Sequence, residues 1–317
     1  MHRNFVEPRS EGVPAIEGGR IRIRSKHAML YAMALPGVLF FLLFKYIPLF
    51  GSIIAFQDYL IFKGMWESPW VGFKHFADFF HYSSFWRVFR NTLILGFYNL
   101  LFVFPVPIVL ALLFNELRNV MYKRVLQTIY YVPHFFSWVI IAGITFDVLS
   151  ASGIVNSVLG YFGFEPVLFI QKSEFFRPIV VLTSIWREAG WGTIVLLAAI
   201  AGINPEVYES AMMDGASRIR QIISITLPLI MPTVIVLFLL NIGNFLDLNF
   251  DQIYNLLTPM TYETGDVIDT YVYRVGIVGG QFSSTTAIGL FQSVIGFVLV
   301  VAFNRAAKKY SDGGALW

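Results

Sequence analysis

Between residues 91 and 114 the sequence contains no Asp, Glu, Lys or Arg. About 20 apolar residues suffice to cross the hydrocarbon core of a bilayer, so this one stretch moves the chain out of the class of soluble globules. Five further apolar runs are readable, at about 28–50, 126–146, 177–203, 228–246 and 286–303. Backbone polar groups in lipid must be satisfied within the segment, which leaves helices as the economical spanning element. The expected fold is therefore all-α and polytopic, with six spans. A polar tail occupies 1–27, with a short helix expected near its end; the transmembrane domain covers 28–306, and a second tail covers 307–317. Composition agrees. The chain is 56% hydrophobic and only 14% charged, against about a quarter charged in soluble domains. Pro105 and Pro107 fall inside the second run and should kink it.

Six spans put both termini on one side, and the positive-inside rule chooses the side. With the N-terminus in the cytoplasm, cytoplasmic segments collect Arg3, Arg9, Arg20, Arg22, Arg24, Lys26, Arg118, Lys123, Arg124, Arg218, Arg220, Arg305, Lys308 and Lys309. The opposite loops hold Lys63, Lys74, Arg87, Lys172 and Arg274. Basic residues flank the spans and form no separate patch, so nucleic acid is not an expected partner, whereas membrane lipid is. The first external segment is rich in aromatics (Trp66, Trp70, Phe73, Phe76, Phe79, Phe80, Phe85, Trp86), which suit the membrane interface.

Much chemistry is absent. The chain has no cysteine, so no disulfide and no thiolate metal site. No G-x-x-x-x-G-K-[ST] and no H-E-x-x-H occurs, and the five histidines show no metal-ligand spacing. A catalytic centre and a metal site are not expected.

Polar groups inside spans are costly and therefore informative. Arg187 and Glu188 lie near the middle of span four. They either pair structurally with another helix, or Arg187 faces a polar cavity and meets an anionic substrate. Span five ends in NIGNFLDLNF, where Asn241, Asn244 and Asp247 recur at helical spacing on one face. Asparagine amides offer paired donors and acceptors that suit sugar hydroxyls, and equally suit interhelical bonding. Gln292 in span six is a weaker candidate of the same kind. Trp186 and Trp191 could stack on a sugar ring or simply pack.

The segment 204–228 is a polar interruption between spans four and five. Asn204 can cap a helix whose first residue is Pro205, with Glu206 in its first turn and Val207, Tyr208, Ala211 and Met212 on roughly one face. Gly215 then ends it, and Ile219, Ile222 and Ile223 begin a second amphipathic helix. Gly215 is expected to permit a close turn that a side chain would block.

This segment resembles the cytoplasmic signature of permease subunits of binding-protein-dependent ABC importers: E-A-A, three residues, G, nine residues, I-x-L-P. Glu209, Ser210 and Ala211 take the first three places, Met212 to Asp214 the spacers, and Gly215 the glycine. Ala216 to Ser224 are the nine, followed by Ile225, Thr226, Leu227 and Pro228. Only Ser210 departs. The runs WVGFKHFADFF and FWRVFRNTL before span two, and LNIGNF in span five, are similar to the maltose-permease branch. The tail and aromatic external loop look like permeases of alginate, aldouronate and lipo-oligosaccharide systems. The resemblance implies a permease fold with a coupling helix that docks on a cytoplasmic ATPase through Glu206, Tyr208, Glu209, Ser210, Ala211, Met212, Asp214 and Gly215. It implies a second homologous permease, two ATPase subunits that hold ATP and Mg, and an extracytoplasmic solute-binding protein. The location is a bacterial inner membrane and the cargo an oligosaccharide, acidic if Arg187 faces it. An ion-coupled secondary transporter and a neutral-oligosaccharide permease are the rival readings.

Overall fold

The computed structural model describes residues 28–310, all of whose regular elements are helical. The expected tail helix before residue 28, and the C-terminal tail beyond residue 310, lie outside the described residues. Six helices are long and apolar enough to cross a membrane: Met29–Phe56, Ser83–Glu116, Trp138–Tyr161, Ser173–Ala201, Arg218–Gly243 and Phe282–Lys309.

The described residues divide into two compact units, one ending at Gly51 and one beginning at Ser52. In the first, Ala28–Phe41 continues through a π segment, Leu42–Tyr46, into Ile47–Phe50. Its aromatic and aliphatic side chains are exposed on all sides, Phe44 and Phe50 among them. An all-round apolar helix is what lipid selects.

The second unit is built on span four, Ser173–Ala201, the most buried of the six. One cluster joins Leu95 of span two, Ala142 of span three and Phe176 and Val180 of span four to Leu248, Ile253 and Val267. A second joins Ala111, Leu196, Ile200, Ile230 and Val234 at the other end of spans two, four and five. The third gathers the aromatic external segment, with Phe79, Phe85 and Val88 against Ile268, Ala287 and Ile288. Gly190 lets span four approach a neighbouring backbone: a Cβ there would stand 2.0 Å from the Tyr130 carbonyl oxygen.

Three π segments share one sequence cause. Leu42–Tyr46, Asn99–Val103 and Ile222–Thr226 each end two residues before a proline: Pro48, Pro105 and Pro228. Proline donates no N–H and its ring collides with the carbonyl four residues earlier. That carbonyl falls inside the π segment each time, and the wider turn moves it aside.

Two expected boundaries change. The third span is not one helix over 126–146. Val120–Tyr131 ends at a 3-10 turn, Val132–Phe135, and Trp138–Leu149 starts afresh on the Ser137 cap. Pro133 sits in that turn, and Phe136 and Ser137 are extended. The second amphipathic helix of 204–228 is not separate either: Arg218 opens the helix that becomes span five.

The polar segment after span five is pinned from below. Asn91 Nδ2 donates to the carbonyls of Glu263 (3.0 Å) and Asp266 (3.1 Å), and Arg177 donates to Asn91 Oδ1 at 3.0 Å. The wholly buried Asp266 carboxylate takes a two-pronged contact from Arg274 at 3.1 and 2.6 Å. Planar guanidinium and carboxylate match in that arrangement.

Candidate functional site

Two regions carry the candidate residues: a cavity between spans two, four and five, and the 204–228 segment.

The cavity has a volume of about 550 Å³. Asn99, Trp138, Glu188, Trp191, Asn241, Asn244, Asn249 and Gln252 contribute to its wall, with Leu95, Val103, Pro107, Val180 and Val234 among the apolar surroundings. An adjoining hollow of about 350 Å³ shares Asn99, Asn241, Asn244 and Asn249 and adds Asp247. Four asparagines and one aspartate thus converge where span five ends. Asn241 and Asn244 each donate one amide proton back to their own helix, to Leu237 and Leu240 at 3.3 Å. The remaining donors and acceptors of each amide are available to a ligand. Asn249 also caps the next helix, Phe250–Leu256, by accepting from Gln252 N. Gln252 is buried and fully engaged: its Nε2 donates to Val180 O (2.8 Å) and Thr183 Oγ1 (2.9 Å), and its Oε1 accepts from Ser184 Oγ (3.0 Å).

Asn241, Asn244 and Asp247 border one hollow, but not as a helical face: the helix ends at Gly243, so Asp247 lies in the turn beyond it. Trp191 lines the cavity, whereas Arg187, Trp186 and Gln292 do not. Arg187 is absent from the cavity wall. It pairs with Glu188, donates Nε to Phe136 O at 3.2 Å and lies over the Trp138 ring at 4.7 Å. Glu188 also meets His134 Nδ1 at 3.0 Å, and the His134 ring stacks on Trp191 at 4.5 Å. The physical reason is the break in the third span. Irregular backbone at membrane depth needs partners from other helices, and Arg187 supplies one to the Phe136 carbonyl. Trp186 lies instead in an apolar hollow with Ile144, Pro178 and Leu182. Gln292 donates to Leu246 O at 2.7 Å and so fixes the turn after span five.

Asn99 and Asn249 were not among the sequence candidates. An asparagine deep inside an apolar span is itself a signal, and Asn99 opens a π segment, where functional sites recur. Asn249 carries only an ordinary capping signature.

In the second region, Pro205–Met213 is a helix capped by Asn204, whose side chain accepts from Glu206 N at 3.1 Å and donates to Glu206 Oε2 at 3.1 Å. Ala216 N bonds to Ala211 O at 2.9 Å and Gly215 N to Met212 O at 3.0 Å. With Gly215 at φ 76°, these two bonds make a complete Schellman termination. The expected steric reason for Gly215 is corrected here. A Cβ would meet nothing within 4 Å, so the left-handed backbone, not crowding, asks for glycine. Tyr208 and Ala211 are half-buried; Glu206, Val207, Glu209, Ser210, Met212, Asp214 and Gly215 are exposed. The expected face of Val207, Tyr208, Ala211 and Met212 is therefore split. Acidic and apolar groups share the outward side, with Met213 89% exposed.

Among known proteins, residues 103–311 match the family described as binding-protein-dependent transport system inner membrane component. The chain is 45% identical to Protein LplB of Bacillus subtilis, over 97% of this chain and 98% of that protein. It is 48% identical to the polygalacturonan/rhamnogalacturonan transport system permease protein YteP of the same organism, over 90% of this chain and 89% of that one. A crystal structure of a bacterial alginate ABC transporter, in complex with an alginate pentasaccharide-bound periplasmic protein, contains a chain that superposes with a TM-score of 0.85 at 43% identity. The match covers 92% of this chain and 97% of that one. The six-span fold and these likenesses agree, and the chain belongs to the binding-protein-dependent transport system inner membrane components, the permease subunits of ABC importers.

Proposed function

We propose that this permease forms half of the translocation path for an acidic oligosaccharide, with the asparagine-lined cavity as its saccharide site. The observation that carries the reading is the convergence of Asn99, Asn241, Asn244 and Asn249 beside Trp138 and Trp191. Amides bond to hydroxyls and carboxylates alike, and indole faces stack on sugar rings. The acidic class is supported by relatives named for polygalacturonan, rhamnogalacturonan and alginate, no longer by Arg187. A second homologous permease completes the path, and a solute-binding protein delivers the sugar. Two ATPase subunits, which bind the ATP and Mg, grip the 204–228 segment from the cytoplasm, where both termini also lie. The charge asymmetry of the loops supports that orientation.

One observation favours a neutral sugar: neither Lys nor Arg lines the cavity. Transport assays separate the two readings. The complete importer, reconstituted in vesicles, is offered uronic and neutral oligosaccharides of equal length. Preferential uptake of the uronic series is expected, and Asn241→Ala with Asn244→Ala should raise KM by roughly tenfold, the effect of losing one or two hydrogen bonds. Unchanged KM in the double variant would remove the cavity assignment; preference for the neutral series would remove the acidic class.

A further inference from the structure

Two residues of the signature region point away from a docking partner: Tyr208, expected among the docking residues but half-buried, and Thr226, the buried variable position of I-x-L-P. The fold brings them together. Tyr208 Oη and Thr226 Oγ1 stand 2.9 Å apart, across 18 positions of chain. Tyr208 is one of only two residues of Pro205–Met213 that turn inward, with Ala211, and Thr226 is 2% exposed.

Thr226 closes the π segment Ile222–Thr226, two residues before Pro228. The proline withholds one ladder hydrogen bond, and the π turn spaces the others more loosely, so span five bends here at low cost. The only covalent connection between the short helix and this hinge is the turn at 214–217. Gly215 is left-handed and Ser217 is extended, and such a turn absorbs a push rather than passing it on. Two nearby side-chain ties stop short of the helix: Gln221 Nε2 donates to Ala216 O inside the turn at 3.0 Å, and Arg218 pairs with Glu116 at the end of span two at 3.2 Å. The Arg218 pair is largely exposed and contributes little. The Tyr208–Thr226 bond is the one that reaches from the helix itself to the hinge.

We propose that Tyr208 and Thr226 are positioning residues that clamp the coupling helix to the hinge of span five, so that displacement of the helix bends the span instead of flexing the 214–217 turn. The inference rests on the proposed docking of this helix on an ATPase.

The test uses the assembled importer with its ATPase and loaded binding protein in vesicles, and reads oligosaccharide transported per ATP hydrolysed. Tyr208→Phe and Thr226→Val should each lower that ratio roughly three- to tenfold, the span of one hydrogen bond. The double variant should be no worse than either single one, and Thr226→Ser should restore the ratio. A ratio equal to wild type in both single variants overturns the clamp. So does a fall only in the yield of assembled complex, since that marks a purely structural contact. If the wild-type complex itself shows no stimulation of hydrolysis by loaded binding protein, the docking reading fails instead, and the two failures are thereby distinguished.

Discussion

The 204–228 segment and the asparagine cavity are built in opposite ways. The segment is local: its cap, its Schellman turn and its inward tyrosine all find partners within about one loop of chain. The cavity draws Asn99, Glu188, Asn241 and Gln252 from three spans and the loop that follows. One presents its chemistry outward on a helix with little cover, and the other holds it inward against neighbouring helices. The role proposed for the segment, a handle for an ATPase, needs a stiff and exposed element, which local bonding supplies. A site for a polar cargo inside a membrane must be enclosed, which only long-range packing supplies.

The contrast predicts that damage to the handle silences coupling while leaving cargo recognition intact. Glu209→Lys and Gly215→Asp should abolish substrate-stimulated ATP hydrolysis with the chain still in the membrane. Glu209 is exposed and bonded to nothing whose loss would unfold the helix. Gly215→Asp costs about 1–2 kcal/mol of left-handed strain, too little to remove a membrane protein from its bilayer, and adds a charge where the partner would sit. Stimulated hydrolysis measured on purified complexes decides it: normal stimulation in both variants would leave the segment without its assigned role.

A smaller effect is expected on the cavity side. Arg187→Gln leaves the Glu188 carboxylate facing the cavity with His134 as its remaining partner. One added negative charge about 10 Å from a bound carboxylate contributes about 1.7 kcal/mol at an effective dielectric of about 20. Uptake of an acidic oligosaccharide should therefore fall by roughly tenfold, while uptake of a neutral one of equal length changes little. Adding Glu188→Gln should recover most of the loss. Equal loss for both sugars would mean that Arg187 serves only the broken third span, through its bond to Phe136 O, and the cavity would lose its electrostatic character.

What was legible in the sequence follows the same division. The Asn204 cap, the Pro205 start and the Gly215 stop depend on neighbours a few residues away, and all three stand where the pattern puts them. The run from Arg218 reads as a separate helix because Pro228 marks a break in sequence, whereas the π segment Ile222–Thr226 carries the helix through to span five. The break at Val132–Phe135 was hidden inside an apolar run whose hydropathy does not register a turn. Arg187 could be read as cavity-facing or as structural because span four buries partners on several sides; only its contact with Phe136, fifty-one positions away, separates the two. Asn99 was lost in a span whose lack of charge drew all the weight.

The finest distinction between the two regions is pH. The handle's carboxylates are exposed, whereas Asp269, in the segment above the cavity, is not free to ionise. Burial is the main cause, and the neighbouring Asp247 adds to it. Together they raise the carboxyl from 3.8 to about 7, against the opposing bonds from Gln292 and the Leu248 backbone. Its Oδ2 is buried with no hydrogen-bond partner among the described residues. The native state therefore holds a proton between about pH 4 and pH 7 that the unfolded chain has released. Stability must fall as pH rises through that window and level off above it. Asp269→Asn removes the titration while keeping an acceptor for Gln292. The variant should be more stable than wild type at pH 8, by on the order of 1–2 kcal/mol, and so melt at a higher temperature, since each pKa unit is worth about 1.4 kcal/mol before solvent screening. At pH 4 the two should melt together. A wild-type melting profile in detergent that is flat from pH 4 to 8 would mean that Asp269 is already solvated, and the loop above the cavity would then be as open to water as the handle.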